Sequence, residues 1–273
     1  MQTTSTPDGC HFHKLSDLSA RITPKTEAST LIIRGFLLKI IRYKRVSSTS
    51  TNAKALAQKG AAEWTVVVSE AQTQGKGRPG RTWNSPKGGL WFSLIIRPKI
   101  PIDRIPLLQF WAANALRKGI EKVYGVQSEV KWPNDIVVDW KKLAGILIET
   151  KISGQELVYA IVGIGFNVNL TTEQLPTGAT SIFLARKKRF SLEKTLSSIL
   201  TVLEWDYETL GDESAVVGDW WKHCAHREKS VIIETSNGRV HGKSVGVNLD
   251  GSIIVQTDQG SVTVPDGSLR LDT

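Results

Sequence analysis

The segment of this sequence best suited to chemistry is Gly75-Lys76-Gly77-Arg78-Pro79-Gly80-Arg81, in which cations are threaded among glycines. Glycine lets a main chain approach a ligand closely, and lysine and arginine neutralise phosphate or carboxylate, so the run describes an anion-binding lid. An ordinary mobile surface loop is the bland alternative; three cations among three glycines, with Trp83 beside them, weigh against it. The run also matches GxGxxG. A dinucleotide-binding turn must open directly into a helix, however, whereas Arg81-Thr82-Trp83-Asn84-Ser85-Pro86-Lys87-Gly88-Gly89 continues as loop. No protein-kinase elements follow it, and Gly238 stands one residue too close to Lys243-Ser244 for a phosphate-binding P-loop. A second segment, Lys131-Trp132-Pro133-Asn134-Asp135-Ile136, sets an amide and a carboxylate at a break between two strands. Asp135 has the chemistry to hold Mg²⁺ against phosphates, although a turn is the commoner use of Asn-Asp. A third, Lys142-Leu143-Ala144-Gly145-Ile146-Leu147-Ile148-Glu149, starts an apolar strand with a lysine aimed at a pocket; a lone lysine there is usually only solvated.

Elements able to position these groups are readable around them. Leu37–Val46 alternates as a strand, and Ser47–Asn52 is a polar turn leading into a helix over Ala53–Lys59. Strands are predicted at Trp64–Ser69 and Leu90–Arg97 on either side of the lid, and an amphipathic helix at Pro106–Tyr124. Further strands follow at Ser128–Trp132, Ile136–Asp139, Lys142–Glu149 and Leu157–Asn169, then helical spacing over Ser191–Leu210. From about Arg227 the chain turns to short strands, Val231–Thr235, Gly242–Val247, Ile253–Gln256 and Ser261–Val264, separated by Asn-Gly, Asp-Gly and Gln-Gly. That pattern predicts a small antiparallel barrel, a cap beside a larger active site.

Composition sets the outer limits. A chain of 273 residues that is 40% hydrophobic can bury one large core and carry a small second domain. Apolar runs are too short to span a membrane. Two separated cysteines, Cys10 and Cys224, support neither a disulfide framework nor a thiolate metal cage, which fits a reducing, cytoplasmic setting. The formal charge of +9 calls for an anionic partner. The basic run Arg186-Lys187-Lys188-Arg189 lacks a nucleic-acid-binding signature around it and reads as an exposed helix start or loop. His11-Phe12-His13 and His223-Cys224-Ala225-His226 look like metal ligands only superficially, since neither has matching partners elsewhere, and they are assigned no role.

In combination, Ser50-Thr51-Asn52, Gln72, Gly75-Lys76-Gly77-Arg78, Trp83, Gly88-Gly89-Leu90-Trp91, the Lys131–Asp135 and Lys142–Leu147 segments and Gly163-Ile164-Gly165-Phe166-Asn167-Val168-Asn169 resemble the biotin protein ligase family, from about Lys39 to the C-terminus. The resemblance implies an α+β fold: a class II aminoacyl-tRNA synthetase-like mixed sheet with helices, followed by a small C-terminal SH3-like β-barrel. Residues 1–37 would be an irregular extension in place of the family's DNA-binding domain, 38–225 the biotin- and ATP-binding catalytic domain, and 226–273 the barrel. The implied reaction is activation of biotin by ATP to biotinyl-5'-AMP with release of pyrophosphate, then transfer to a lysine of a biotin carboxyl carrier protein. A homodimer is compatible with the family; DNA binding is not expected.

By the same resemblance, Ser50, Thr51, Asn52 and Gln72 would hydrogen-bond the ureido ring of biotin, with Gly75, Lys76, Gly77, Arg78, Gly89, Lys142 and Gly145 around the rest of it. Arg78 and Lys142 would be catalytic, along the carboxylate and α-phosphate. Arg78, Arg81, Trp83, Asn134, Asp135, Lys142 and Asn167 would face ATP, with Trp83 covering adenine and Asp135 binding Mg²⁺. Many members have arginine where this chain has Lys76; lysine keeps the charge without the bidentate fork, which bears on retention of the adenylate. A lipoate ligase would share the chemistry without the ureido-binding residues, and a non-catalytic biotin- or nucleic-acid-binding protein would release no pyrophosphate.

Overall fold

Leu90–Ile96 has no polar face, since all of its residues are buried, as a central strand covered on both sides requires. The computed structural model describes residues 26–33 and 36–272. Its first half contains β1 (Thr26–Ile33), β2 (Phe36–Tyr43), α1 (Thr49–Gln58), β3 (Thr65–Ser69), β4 (Leu90–Ile96) and α2 (Leu107–Tyr124). Then come β5 (Glu129–Lys131), β6 (Asp135–Val138), β7 (Lys141–Ser153), β8 (Glu156–Phe166), α3 (Ile182–Arg186), α4 (Leu192–Asp206) and α5 (Glu213–Lys222). The chain ends with β9 (Ser230–Thr235), β10 (Gly238–Val247), β11 (Ile253–Thr257), β12 (Gly260–Val264) and β13 (Ser268–Leu271).

The first eight strands form one mixed sheet in the order β1-β2-β3-β4-β8-β7-β6-β5. Only the β2–β3 pair is parallel, joined through α1; the others are antiparallel. Side chains alternate across the strands, so the two faces are covered by different helices. Val66, Leu94, Ile96, Ala160, Val162 and Ile164 join the core on the α2 side, where α4 and α5 pack behind α2. Val67, Ile95 and Ile161 face the other way, onto Ala53 and Ala57 of α1. A mixed sheet with helices is thus as the sequence predicts. The broken spacing after Leu210 conceals α5, which is missed, and α4 gives way after Asp206 to a 3₁₀ turn at Tyr207–Gly211.

One expectation is corrected. The stretch 1–37 is not irregular where it is described: Thr26–Ile33 pairs with β2 over its full length and forms the sheet's outer edge. Residues 1–25 lie outside the described residues. The C-terminal region, expected as a small SH3-like barrel, is a five-stranded antiparallel sheet in the order β12-β11-β10-β9-β13. The chain after β12 crosses at Pro265-Asp266-Gly267 and adds β13 beside β9, so β12 and β13 become opposite edges without pairing. Val231, Ile233, Ile253, Val255, Val264 and Leu269 bury its inner face.

Candidate active site

A cleft of about 170 Å³ opens where α1, the lid loop between β3 and β4, the middle of β7 and β8, and the start of β13 meet. Of the predicted residues, Ser50, Gln72, Lys76, Gly77, Arg78, Arg81, Trp83, Asn134, Asp135, Lys142 and Gly145 line it. Thr51, Asn52, Gly75, Gly89 and Asn167 do not. Ser48, Thr49, Lys131, Gly163, Gly165, Ser268 and Leu269 line it without having been singled out for a role there.

The α1 end is neutral. The helix begins at Thr49 rather than at Ala53, so Thr49 and Ser50 are buried against the sheet while Thr51 turns outward and is exposed. Successive helical residues are rotated by about 100°, which is why four adjacent polar residues cannot share one face. A continuous hydrogen-bonded chain results. Ser50 Oγ lies 3.1 Å from Ser93 Oγ, Ser93 Oγ donates to Thr49 Oγ1 at 2.8 Å, and Gln72 Oε1 accepts from Thr49 N at 2.7 Å and Thr49 Oγ1 at 3.1 Å. Gln72 Nε2 then donates to Ser85 Oγ at 2.7 Å. Ser48 Oγ and Trp83 Nε1, both on the cleft wall, are buried and have no hydrogen-bond partner among the described residues. Orphan groups of this kind are rare unless a ligand or water completes them.

The floor is bare main chain. Gly145 and Gly165 face each other across β7 and β8. A Cβ at Gly165 would meet Trp83 Nε1 at 2.5 Å, and one at Gly145 would meet Trp83 Cζ3 at 2.6 Å. Glycine at both places lets the indole lie against the sheet, where its edge meets Trp91 at 6.3 Å between ring centres.

The opposite end is cationic. Lys142 Nζ sits 2.6 Å from Asp135 Oδ1 and 4.8 Å above the Trp83 ring. Lys131 comes into the same space from β5; burial lowers its pKa, and Lys142 lowers it further while Asp135 opposes. Asn134 clamps β7 by donating Nδ2 to Ile146 O at 2.9 Å and accepting Ile146 N at the same distance. Asn167 stands behind the site: its Nδ2 donates to Thr180 O at 3.0 Å and Lys142 O at 3.4 Å, so it fixes the backbone that carries Lys142. No group of three or more His, Cys, Asp or Glu among the described residues is disposed to hold a metal. Asp135 is one carboxylate, and a Mg²⁺ ion bound there would need phosphate oxygens to complete its shell.

The lid is held at both sides. Within it Gly77 N donates to Arg81 O at 3.0 Å and Trp83 N to Gly75 O at 2.8 Å, closing a tight hairpin. Lys76 Nζ reaches Glu149 on β7 at 3.1 Å. Arg78 pairs with Asp266 and donates to Gly267 O at 2.8 Å, which ties the lid to the β12–β13 turn. Gly75 is packed against Trp83 O and Ser85 Oγ, and Gly89 against the Trp91 ring, so both shape the loop's ends from outside the cleft.

Residues 43–167 match the Biotin/lipoate A/B protein ligase family. The bifunctional ligase/repressor BirA of Bacillus subtilis is 34% identical over 266 residues, which covers 94% of this chain and 79% of that protein. The biotin--[acetyl-CoA-carboxylase] ligase of Paracoccus denitrificans is 29% identical over 227 residues, covering 79% of this chain and 94% of that one. Among solved structures, the biotin protein ligase from Aquifex aeolicus in complex with biotin and ATP is similar with a TM-score of 0.73 at 26% identity, over 85% of this chain and 99% of that one. The chain belongs to the biotin/lipoate A/B protein ligase family.

Proposed function

We propose that this chain is a biotin protein ligase, a C–N bond-forming enzyme of the biotin–[acetyl-CoA-carboxylase] ligase type. The observation that carries the reading is a single cleft with a neutral hydrogen-bonding end at Ser50–Gln72, a cationic end at Lys131 and Lys142, and a bare glycine floor between them. A cyclic urea needs fixed donors and acceptors, and its aliphatic chain needs close, uncharged walls. The chain's carboxylate then reaches the cations. Named relatives and the Aquifex complex with biotin and ATP support the same substrates here.

A biotin carboxylate oxygen attacks the α-phosphorus of ATP; the bond to the β-phosphate oxygen breaks and pyrophosphate leaves. Lys142 and Arg78 balance charge on the carboxylate and phosphorus as it develops, and Lys131 and Arg81 do so towards pyrophosphate. For Arg78 this requires release from Asp266, so ligand binding and lid closure are coupled. The ion Mg²⁺, brought with ATP, would lower the charge of the leaving group, with Asp135 holding it. A carrier lysine amine then attacks the acyl carbon, forming the amide and expelling AMP. Trp83 and the lid exclude water from the mixed anhydride until then. The large sheet with its helices, which begins at β1 and runs to residue 225, forms the catalytic unit and 226–273 a second unit in this reading. The partner is a biotin carboxyl carrier protein and the setting cytoplasmic; a homodimer through an open sheet edge belongs to the same proposal. Among the described residues no helix is long and apolar enough to cross a membrane.

The test is biotin-dependent release of pyrophosphate from ATP and Mg²⁺, with lipoate in parallel, followed by addition of a biotin carrier domain. Release with biotin and labelling of the carrier are expected; release with lipoate alone would move the chain to the lipoate branch of its family, and release with neither would leave a binding protein.

A further inference from the structure

His226 belongs to a cluster with no part in the mechanism above. It is fully buried in the seam between the large sheet and the C-terminal one. Its Nε2 accepts the main-chain N–H of Trp132 at 3.2 Å and lies 3.1 Å from Cys224 Sγ, while Nδ1 lies 2.9 Å from Ser244 Oγ on β10. A main-chain N–H can only donate, so Nε2 carries no proton; the ring proton is on Nδ1 and is donated to Ser244. The arrangement superficially resembles a Cys-His nucleophile pair. It cannot act as one, because burial pushes the Cys224 thiol up to about 12 and lowers His226 to about 3, helped by Lys131 and Lys229. The neutral imidazole is a fixed acceptor and donor.

Trp132 is gripped a second time: its indole Nε1 donates to Gly251 O at 2.9 Å, in the turn between β10 and β11. Beside it, Val130 N donates to His223 O at 3.0 Å and Ala225 N to Val130 O at 2.9 Å. The stretch that brings Lys131, Asn134 and Asp135 into the cleft therefore rests on the C-terminal sheet.

We infer that His226 is a positioning residue for the nucleotide end of the cleft, holding Trp132 through Nε2 while anchored to Ser244 through Nδ1. The inference rests on the ligase reading for its kinetic consequence, but not for its structural one. Because His226 touches neither the Ser50–Gln72 chain nor the glycine floor, its removal affects ATP and spares biotin.

His226→Asn keeps a donor near Nδ1 and removes the acceptor at Nε2; His226→Gln keeps an acceptor near Nε2. Both are compared with wild type by hydrogen–deuterium exchange of the peptide covering residues 130–136 and by KM for ATP and biotin in the pyrophosphate assay. For His226→Asn we expect faster exchange in 130–136 and a KM for ATP raised about tenfold, at the lower end for a buried donor left unpaired, with the KM for biotin within about twofold. His226→Gln, which keeps the acceptor for Trp132 but loses the Ser244 anchor, should restore most of both and leave only a small remainder of the size expected for Ser244→Ala. Unchanged exchange in His226→Asn, equal rises in both KM values, or equal behaviour of the two variants would overturn the inference. If neither variant folds, Ser244→Ala should produce the same pattern at smaller size, and its absence there would overturn the inference too. A wild-type protein that releases no pyrophosphate would count against the ligase reading alone, leaving exchange at 130–136 to decide the role of His226.

Discussion

At the α1 end of the cleft, every side chain from Ser50 through Ser93, Thr49 and Gln72 to Ser85 finds its partner inside the protein, whereas at the β7 end Lys142 and Lys131 share one carboxylate, Asp135. The first arrangement is largely made before a ligand arrives, with Ser48 Oγ left unpartnered among the described residues, and suits a neutral group of fixed shape. The second leaves positive charge in excess, which an anion completes. A prearranged set of neutral groups suits recognition of shape, and an excess of cations suits an anion.

The comparison breaks most sharply at Lys142. Replacing it with alanine should lower pyrophosphate release by about 10²–10³-fold, the range for a lost transition-state charge partner, while the melting temperature stays near wild type because Lys142 is partly exposed. An equally large loss of release from Ser50→Ala would erase the distinction between the two ends. Next in size is Gly165→Ala, which sets a methyl group against Trp83. Overpacking of about 1–3 kcal/mol should weaken binding of biotin by about tenfold or more, read by calorimetry, without unfolding the sheet; unchanged affinity would mean that the indole can leave the floor freely.

A smaller effect, about tenfold on the KM for biotin, is expected for Gln72→Ala, accompanied by a lower melting temperature because Thr49 N loses its acceptor. Loss of stability with KM unchanged would make the neutral end purely structural. Acid sharpens the contrast from another side. The folded-state pKa of His226, held near 3 chiefly by burial and further by Lys131 and Lys229, lies below its ordinary 6.5. The unfolded chain binds a proton in that window and the folded chain does not, so stability present above pH 6.5 falls as pH drops towards 3. Melting temperature followed against pH should decline less steeply in His226→Gln. The smallest change is expected for Asp266→Asn: its pair with Arg78 is exposed on the aspartate side, so stability should move by less than about 1 kcal/mol and the difference should fade in high salt.

The motifs were legible because the residues of each act within one short stretch. The lid glycines, Asn134-Asp135 and Lys142 all line the cleft, or border it, as their local sequence implied. What was not legible depends on helical phase or on distant partners. The polar run Ser47–Asn52 does not reveal that Thr49 and Ser50, rather than Thr51 and Asn52, face inward; only the starting point of α1 decides that. The resemblance placed Arg78 along a substrate carboxylate and α-phosphate, yet its partner in this structure is Asp266, which no local spacing indicates. Asn167 could be recognised by motif, but its donation to the backbone of Lys142 follows from strand order. The short strands and turns after Arg227 specified the antiparallel neighbours seen in the C-terminal sheet, but not that a fifth strand, β13, returns beside β9.

The grip on Trp132 has a consequence for synthesis. Its two hydrogen-bond partners, His226 and Gly251, follow it by 94 and 119 residues. At about 5–20 residues per second, the ribosome makes that intervening chain in on the order of ten seconds. During that interval the segment carrying Asn134 and Asp135 has no C-terminal sheet to rest on. A nascent chain can assemble α1 and the neutral end of the cleft well before its cationic end, so that end of the cleft is completed last.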